Sequence, residues 1–317
     1  MNPWLPFLCA GLLHWGCAGG RANAPVEAEE GAMPRVAITG YLPDYRLESY
    51  APAPRAGIDV LVLFSAEATP SGGLDLARLP MAARERARQL KAQQQCLLLL
   101  SVGGWERSAA FPALAADSTA RAGFSRHLAG FCREEGFDGI DLDWEHPRNQ
   151  AEARDFALLL GRIAAEFGPG GLLLTSALAP WQELPAAVYE HLDRIHLMSY
   201  DNPGRHSTYE SAVADVQRLV DRGAAPDKIW LGVPFYGRKI GNSGDALTYA
   251  QILAQFHPST EVDEAGGYYF NGPQTLQKKA RFARERGLGG IMIWELGQDA
   301  AGEGSLLRAL GQALSVP

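Results

Sequence analysis

Short apolar runs recur along the chain from residue 36 onward, each followed by a loop and usually by a segment of helical periodicity. The runs are Val36–Tyr41, Val60–Ser65, Cys96–Ser101, Gly139–Trp144, Leu172–Leu178, Arg194–Tyr200, Ile229–Phe235 and Gly290–Glu295. Their near-continuous apolar character predicts parallel strands covered on both faces. Apolar residues three and four apart predict amphipathic helices over 78–94, 119–135, 150–167, 208–222 and 273–287. Gly136, Gly168, Gly223 and Gly287 stand at helix ends, where a left-handed cap is favoured. Eight such β–α units predict an α/β fold, a (β/α)8 TIM barrel, with its working groups at the C-terminal strand ends. The rival is a doubly wound open sheet, but Tyr41-Leu42-Pro43-Asp44 offers no Gly-rich phosphate loop after the first run. Between the seventh and eighth runs, residues 238–289 predict a short insertion with a helix near Tyr249–Phe256 and a hairpin. No second domain and no internal repeat is expected.

Composition narrows the partners. Of 317 residues, 47% are hydrophobic and 21% charged, and the formal charge is -7 with no basic block. A nucleic-acid partner, which needs concentrated positive charge, is not expected. Past the N-terminus no apolar stretch approaches the ~20 residues of a membrane span. Trp4–Gly20 is almost wholly apolar or small and precedes the first basic residue, Arg21. Residues 1–20 therefore predict a signal peptide, 21–34 a linker, and 35–317 the folded domain. Cys17, after Leu12-Leu13-His14-Trp15-Gly16, is a candidate lipoprotein-type anchor. Cleavage after Ala22-Asn23-Ala24 and a misplaced start codon are the alternatives. Export, periplasmic or secreted, is expected. Cys96 and Cys132 lie far apart and predict buried free thiols rather than a disulfide.

The most informative stretch is Asp138-Gly139-Ile140-Asp141-Leu142-Asp143-Trp144-Glu145. Alternation along a strand puts Asp141, Asp143 and Glu145 on one face and Ile140, Leu142 and Trp144 on the other. In a barrel the acids point inward, stacked about 6.5–7 Å apart toward the C-terminal mouth. Acids so close in a dry interior repel, so at least one proton is retained and shared. A carboxylic acid kept protonated near neutral pH is what general-acid catalysis needs.

This run resembles the DxxDxDxE signature of family 18 glycoside hydrolases, the chitinases and their relatives. Ser101-Val102-Gly103-Gly104-Trp105, Met198-Ser199-Tyr200-Asp201, Gly232-Val233-Pro234-Phe235-Tyr236-Gly237-Arg238 and Gly289-Gly290-Ile291-Met292-Ile293-Trp294-Glu295 are similar to the family's motifs at strands three, six, seven and eight. The resemblance implies a retaining hydrolase of β-1,4-linked N-acetylglucosamine glycans, without metal or organic cofactor. It implies that Glu145 protonates the glycosidic oxygen. Asp143, moving between Asp141 and substrate, would orient a 2-acetamido group that attacks the anomeric carbon to give an oxazolinium ion. The general two-carboxylate scheme names this substrate-assisted class as an exception. Tyr200 would hold the acetamido carbonyl, Trp294 would floor the distorted sugar, and Tyr41 and Asp201 would line the same subsite. Met198, Tyr236, Arg238, Trp105 and Gly104 are further candidates for substrate contact, each with a packing alternative; Trp181 is another flanking aromatic.

Two departures stand out. His146 occupies a position where chitinases commonly have tyrosine, and the 238–289 excursion is too short for the family's full α+β module, which implies a shallower groove. Rival readings are a non-catalytic lectin on the same scaffold, an endo-β-N-acetylglucosaminidase acting on N-glycan or peptidoglycan, and a metal-dependent hydrolase using Asp141, Asp143, Glu145 and His146. A monomer is expected.

Overall fold

The structure, a computed structural model, describes residues 36–53 and 55–315. The expected leader, Cys17 and the 21–34 linker lie outside the described residues. The strands β1 (Ala37–Pro43), β2 (Val60–Ala68), β3 (Leu97–Gly103), β4 (Gly139–Asp143), β5 (Leu173–Leu178), β6 (Arg194–Leu197), β7 (Ile229–Pro234) and β8 (Gly290–Trp294) coincide with the eight apolar runs. All pair in parallel, in the order β1-β8-β7-β6-β5-β4-β3-β2, and β1 pairs with β2 to close the barrel. No edge strand is left open in the ring, which removes the pairing liability of an open sheet.

Alternation sorts each strand into two faces. Ile38, Leu61, Leu98, Ile140, Leu142, Ile195, Leu231 and Ile291 pack outward with the helices in one large core. Trp144 joins them, stacked on Phe111 at 5.4 Å and edge-on to Phe156 at 5.5 Å. Tyr41, Val60, Val62, Phe64, Leu99, Trp230 and Met292 form a second cluster, inside the barrel. Asp141, Thr175 and His196 share that interior and are wholly buried.

Helices Met81–Gln94, Ser118–Glu135, Gln150–Phe167, Tyr209–Asp221 and Pro273–Glu285 occupy the periodic segments. Three begin on side-chain caps: Asp117 accepts from Ala120 N, Asn149 from Ala151 N and Glu152 N, and Thr208 from Ser211 N. Gly136 takes the expected left-handed turn at φ 74°. Gly168 does not; at φ -48° it continues into a 3-10 turn through Gly170, and Gly171 makes the reversal at φ 65°. Proline fits the first turn of a helical segment, so Gly168-Pro169-Gly170 prolongs the helix by one tighter turn.

The insertion after β7 is more ordered than a hairpin. Tyr236–Lys239 pairs with Asn242–Thr248 on one side and Tyr268–Tyr269 on the other, with Glu264–Ala265 outermost, making a four-stranded antiparallel sheet. The helix Tyr249–Phe256 stands where the sequence predicts it and starts on a reciprocal cap between Thr248 and Gln251. Cys96 and Cys132 are buried free thiols. Burial pushes them up to about 11 and about 12.

Candidate active site

Above the barrel interior lies a cleft of ≈ 540 Å³. β4 ends at Asp143, so Glu145 stands on the loop just beyond the strand, at the cleft mouth. Tyr200 and Asp201 likewise follow the end of β6. Glu145, Asp143, Tyr200, Asp201, Met198, Trp294, Arg238, Trp105 and Tyr41 all line the cleft. Asp141, Tyr236 and Gly104 are not among its lining residues, and the reasons differ.

Asp141 lies one step deeper and is held on every side. Its carboxylate accepts from Tyr41 Oη at 2.7 Å and from Thr175 Oγ1 at 2.6 Å. His196 Nδ1 lies 2.9 Å from it, and Ser101 Oγ 3.4 Å. Asp141 is therefore a fixed anchor beneath the site. The same bond revises Tyr41: its ring borders the cleft, but its hydroxyl is turned to Asp141 and to His196 Nδ1 at 2.8 Å. Tyr236 is buried and donates to Asp201 Oδ1 at 2.5 Å, so it touches the cleft only through Asp201. Gly104, at φ 104°, gives up space: a Cβ there would lie 2.3 Å from the Phe64 ring. Phe64 in turn stands edge-on to Trp294 with centroids 4.9 Å apart. A missing side chain just beyond β3 thus seats the aromatic floor formed by Trp294, Phe64 and Tyr41. Gly232 plays a similar part for Tyr200, whose ring a Cβ there would approach to 2.9 Å.

The three acids of the cleft differ in charge. Burial pushes Glu145 up to about 7, opposed by a backbone hydrogen bond at Trp105 and assisted by the anion of Asp201. Burial, then the charges of Glu145 and Asp141, raise Asp143 far above the ordinary carboxylate range. Asp143 Oδ1 is buried without a hydrogen-bond partner among the described residues. Burial would raise Asp201 too, but hydrogen bonds from His206, Arg238 and Tyr236 outweigh it and hold this carboxyl well below its usual range. Arg238 grips both oxygens of Asp201, at 2.5 and 2.6 Å, the bidentate geometry of a strong ion pair. Burial and neighbouring charge therefore bias both Asp143 and Glu145 toward the protonated form, beside a neutralised Asp201–Arg238 pair.

Tyr200 Oη donates, among the described residues, to Met292 Sδ at 3.9 Å, a weak bond that leaves the hydroxyl available to a ligand. Trp105 is 69% exposed at the cleft rim. Trp181 is 59% exposed, lies outside the cleft lining and meets the His146 ring edge-on at 4.7 Å. His146 Nε2 is 3.5 Å from Glu145 Oε2, and burial lowers its pKa. Among the described residues no group of three or more His, Cys, Asp or Glu side chains is placed to hold a metal ion.

Several contributors escaped the sequence. Phe64 and His196 face inward by the same alternation that marked the acids, so their positions were readable though their roles were not. Arg107 sits on a loop and Tyr45 in the 3-10 turn Asp44–Arg46, where no periodicity speaks. Arg107 pairs with Asp44 at 3.1 Å, donates to Ser65 Oγ at 3.0 Å and lies over Phe64 at 5.0 Å. It thereby ties the loops after β1 and β3 to the cleft wall.

A closed (β/α)8 barrel with buried carboxyls at and just beyond the end of β4, an aromatic floor and an open cleft is an arrangement suited to glycoside hydrolysis. The sequence pattern of the Glycosyl hydrolases family 18 matches residues 47–299, and the chain belongs to that family. Chitinase 1 of Aphanocladium album is 29% identical over 282 residues, covering 71% of this chain and 67% of that protein. The crystal structure of a chitinase from Bacteroides thetaiotaomicron is 25% identical, with a TM-score of 0.78 over 89% of this chain and 97% of that chain. A variant of the class V chitinase of Nicotiana tobaccum, solved in complex with NAG4, is 22% identical with a TM-score of 0.76, covering 89% and 99%.

Proposed function

We propose that the protein hydrolyses β-1,4 bonds of N-acetylglucosamine chains, chitin or its oligosaccharides, with retention and with the substrate's own acetamido group as nucleophile. One observation carries this reading: the cleft holds a general acid but no free carboxylate to attack the sugar. Asp143 is biased toward its protonated form by burial and by the charges of Glu145 and Asp141, Asp201 is bound by Arg238, and Asp141 lies below the cleft in four hydrogen bonds. A glycosidase with one available acid and no protein nucleophile needs the nucleophile from its substrate, the arrangement known for this class. The names of the relatives and the oligosaccharide bound to the Nicotiana tobaccum enzyme support the substrate class.

The steps balance. Glu145 gives its proton to the glycosidic oxygen as the C1–O bond breaks, and the acetamido carbonyl oxygen bonds C1 from the opposite face. Tyr200 Oη donates to that oxygen, and the unpartnered Asp143 Oδ1 accepts the amide N–H. Water then adds to C1 and yields a proton to Glu145, the C1–O bond to the acetamide breaks, and the configuration at C1 is restored. Holding the amide against C1 converts a bimolecular attack into an intramolecular one. Trp294 covers the apolar face of the sugar, as aromatic residues do in carbohydrate sites. The test is an oligomer of glucosamine lacking the acetyl groups, set beside its acetylated counterpart. Cleavage of the acetylated chain alone is expected, and equal rates on both would refute the substrate's participation. The apolar 4–20 segment supports an exported, lipid-anchored or secreted protein; the mass of the mature N-terminus tests it, and an intact Met1 would contradict it.

A further inference from the structure

Behind the cleft wall lies a cation that the proposed chemistry does not use. Lys279, on the helix Pro273–Glu285, is wholly buried, as are Ser207 and Asn271 around it. Its ammonium donates to the Ser207 carbonyl at 2.9 Å, the Ser207 hydroxyl at 2.8 Å and Asn271 Oδ1 at 2.8 Å. Three N–H groups thus meet three acceptors. Burial presses Lys279 down to about 7, while the charges of Asp263, Asp215 and Glu210 favour its protonated form. A buried ammonium is costly unless paired or fully hydrogen-bonded, so its place in this fold needs a reason.

The bonds run on in one direction. Ser207 Oγ donates to the Ser199 carbonyl at 2.8 Å, and Ser199 Oγ donates to Asp215 Oδ2 at 2.7 Å. Asn271 Nδ2 also reaches the Ser207 carbonyl, at 2.7 Å. Ser199 and Ser207 are the two feet of the loop after β6. Between them stand Tyr200 and Asp201, the latter at φ 63°, in the left-handed region that side chains rarely adopt. Asn202 N donates to the His206 carbonyl at 3.1 Å and closes the loop above. The loop is a narrow arch whose rising limb, directly after the foot Ser199, carries two cleft residues and whose feet are pinned from behind.

We propose that Lys279 is a positioning residue for the glycosidase site: through Ser207 and Ser199 it locks the feet of the 199–207 arch and so fixes Tyr200 and Asp201 against the cleft. The proposal rests on the functional reading above, because Tyr200 matters only if it meets substrate. A shift of about 1 Å in a positioning group can cost ~100-fold in rate, and Tyr200 and Asp201 adjoin the foot Ser199 that this network holds.

The test compares wild type, Lys279→Met, Tyr200→Phe and the double variant on soluble N-acetylglucosamine oligomers, with hydrogen–deuterium exchange along the chain. Lys278→Met is the control; that neighbouring ammonium lies over the Tyr209 ring at 3.8 Å. Lys279→Met is expected to lower kcat by about 30-fold while the protein remains folded, and to speed exchange at 199–207 but not in the barrel strands. Tyr200→Phe, costly in wild type, is expected to cost less than about threefold more in the Lys279→Met background, because coupled residues are not additive. Multiplying effects, or an arch whose exchange is unchanged, would overturn the proposal and leave Lys279 a part of the general packing. Should Lys279→Met fail to fold, Ser207→Ala removes only the relaying hydroxyl and carries the same two readouts. A wild type that cleaves no oligomer sinks the glycosidase reading, whereas the exchange measurement still decides whether Lys279 pins the arch.

Discussion

Removing the Tyr41 hydroxyl separates two roles that the sequence leaves merged, sugar contact and support of the acid below. Tyr41→Phe keeps the ring, and with it the contacts to Phe64, His196 and Trp294 at 6.5, 5.5 and 5.6 Å. It deletes a 2.7 Å donor to the wholly buried Asp141 carboxylate, which keeps Thr175, His196 and a longer bond to Ser101. A hydrogen bond to a charged group is worth about 1.5–3 kcal/mol, so the variant loses about 2 kcal/mol of stability. At about 2.1 cal/mol/K of unfolding entropy per residue, a domain of about 280 residues shifts by about 1.7 °C per kcal/mol, so its melting midpoint falls by about 3–4 °C. The hydroxyl faces away from the cleft, so KM on N-acetylglucosamine oligomers stays within about twofold, while kcat falls as Asp141 loosens beneath Asp143. Thermal denaturation and steady-state kinetics read the two quantities. An unchanged midpoint with KM raised about tenfold would show that the hydroxyl binds sugar, and would refute the anchor assigned here.

The other expectations are briefer. Glu145, pushed up to about 7 chiefly by burial, works in its protonated form. kcat/KM therefore falls about tenfold per pH unit above that value, and a profile flat to about pH 9 would contradict the assignment. Cys96 and Cys132, buried and raised to about 11 and about 12, stay unlabelled by a thiol reagent at neutral pH until the protein is denatured; rapid native labelling of either would count against the packing described.

How far the sequence carried the account depends on where each residue stands. Asp141, Asp143 and Glu145 were legible because strand alternation is a strict rule and Ile140, Leu142 and Trp144 kept the opposite phase. The barrel was legible for the same reason: strands buried on both faces read as apolar runs. The ends of elements were not. Gly168 has the composition of a left-handed cap, yet Pro169 extends the turn and passes the reversal to Gly171. Side-chain direction within the site was also hidden, since nothing local to Tyr41 says that its hydroxyl meets Asp141, 100 residues on. The pair Lys278-Lys279 illustrates the same limit. Leu276, Ala280 and Ala283 place Lys279 on the core face of its helix, but the arriving 199–207 arch and Asn271 supply the acceptors that let an ammonium remain there.

The most direct measurement is the anomeric form of the first product, followed by NMR at early times, for wild type and Glu145→Gln on soluble N-acetylglucosamine oligomers. Retention through an acetamido intermediate gives the β-anomer first with wild type, and loss of the acid slows Glu145→Gln by ~100-fold or more. Initial release of the α-anomer, or a Glu145→Gln variant as fast as wild type, would contradict the account.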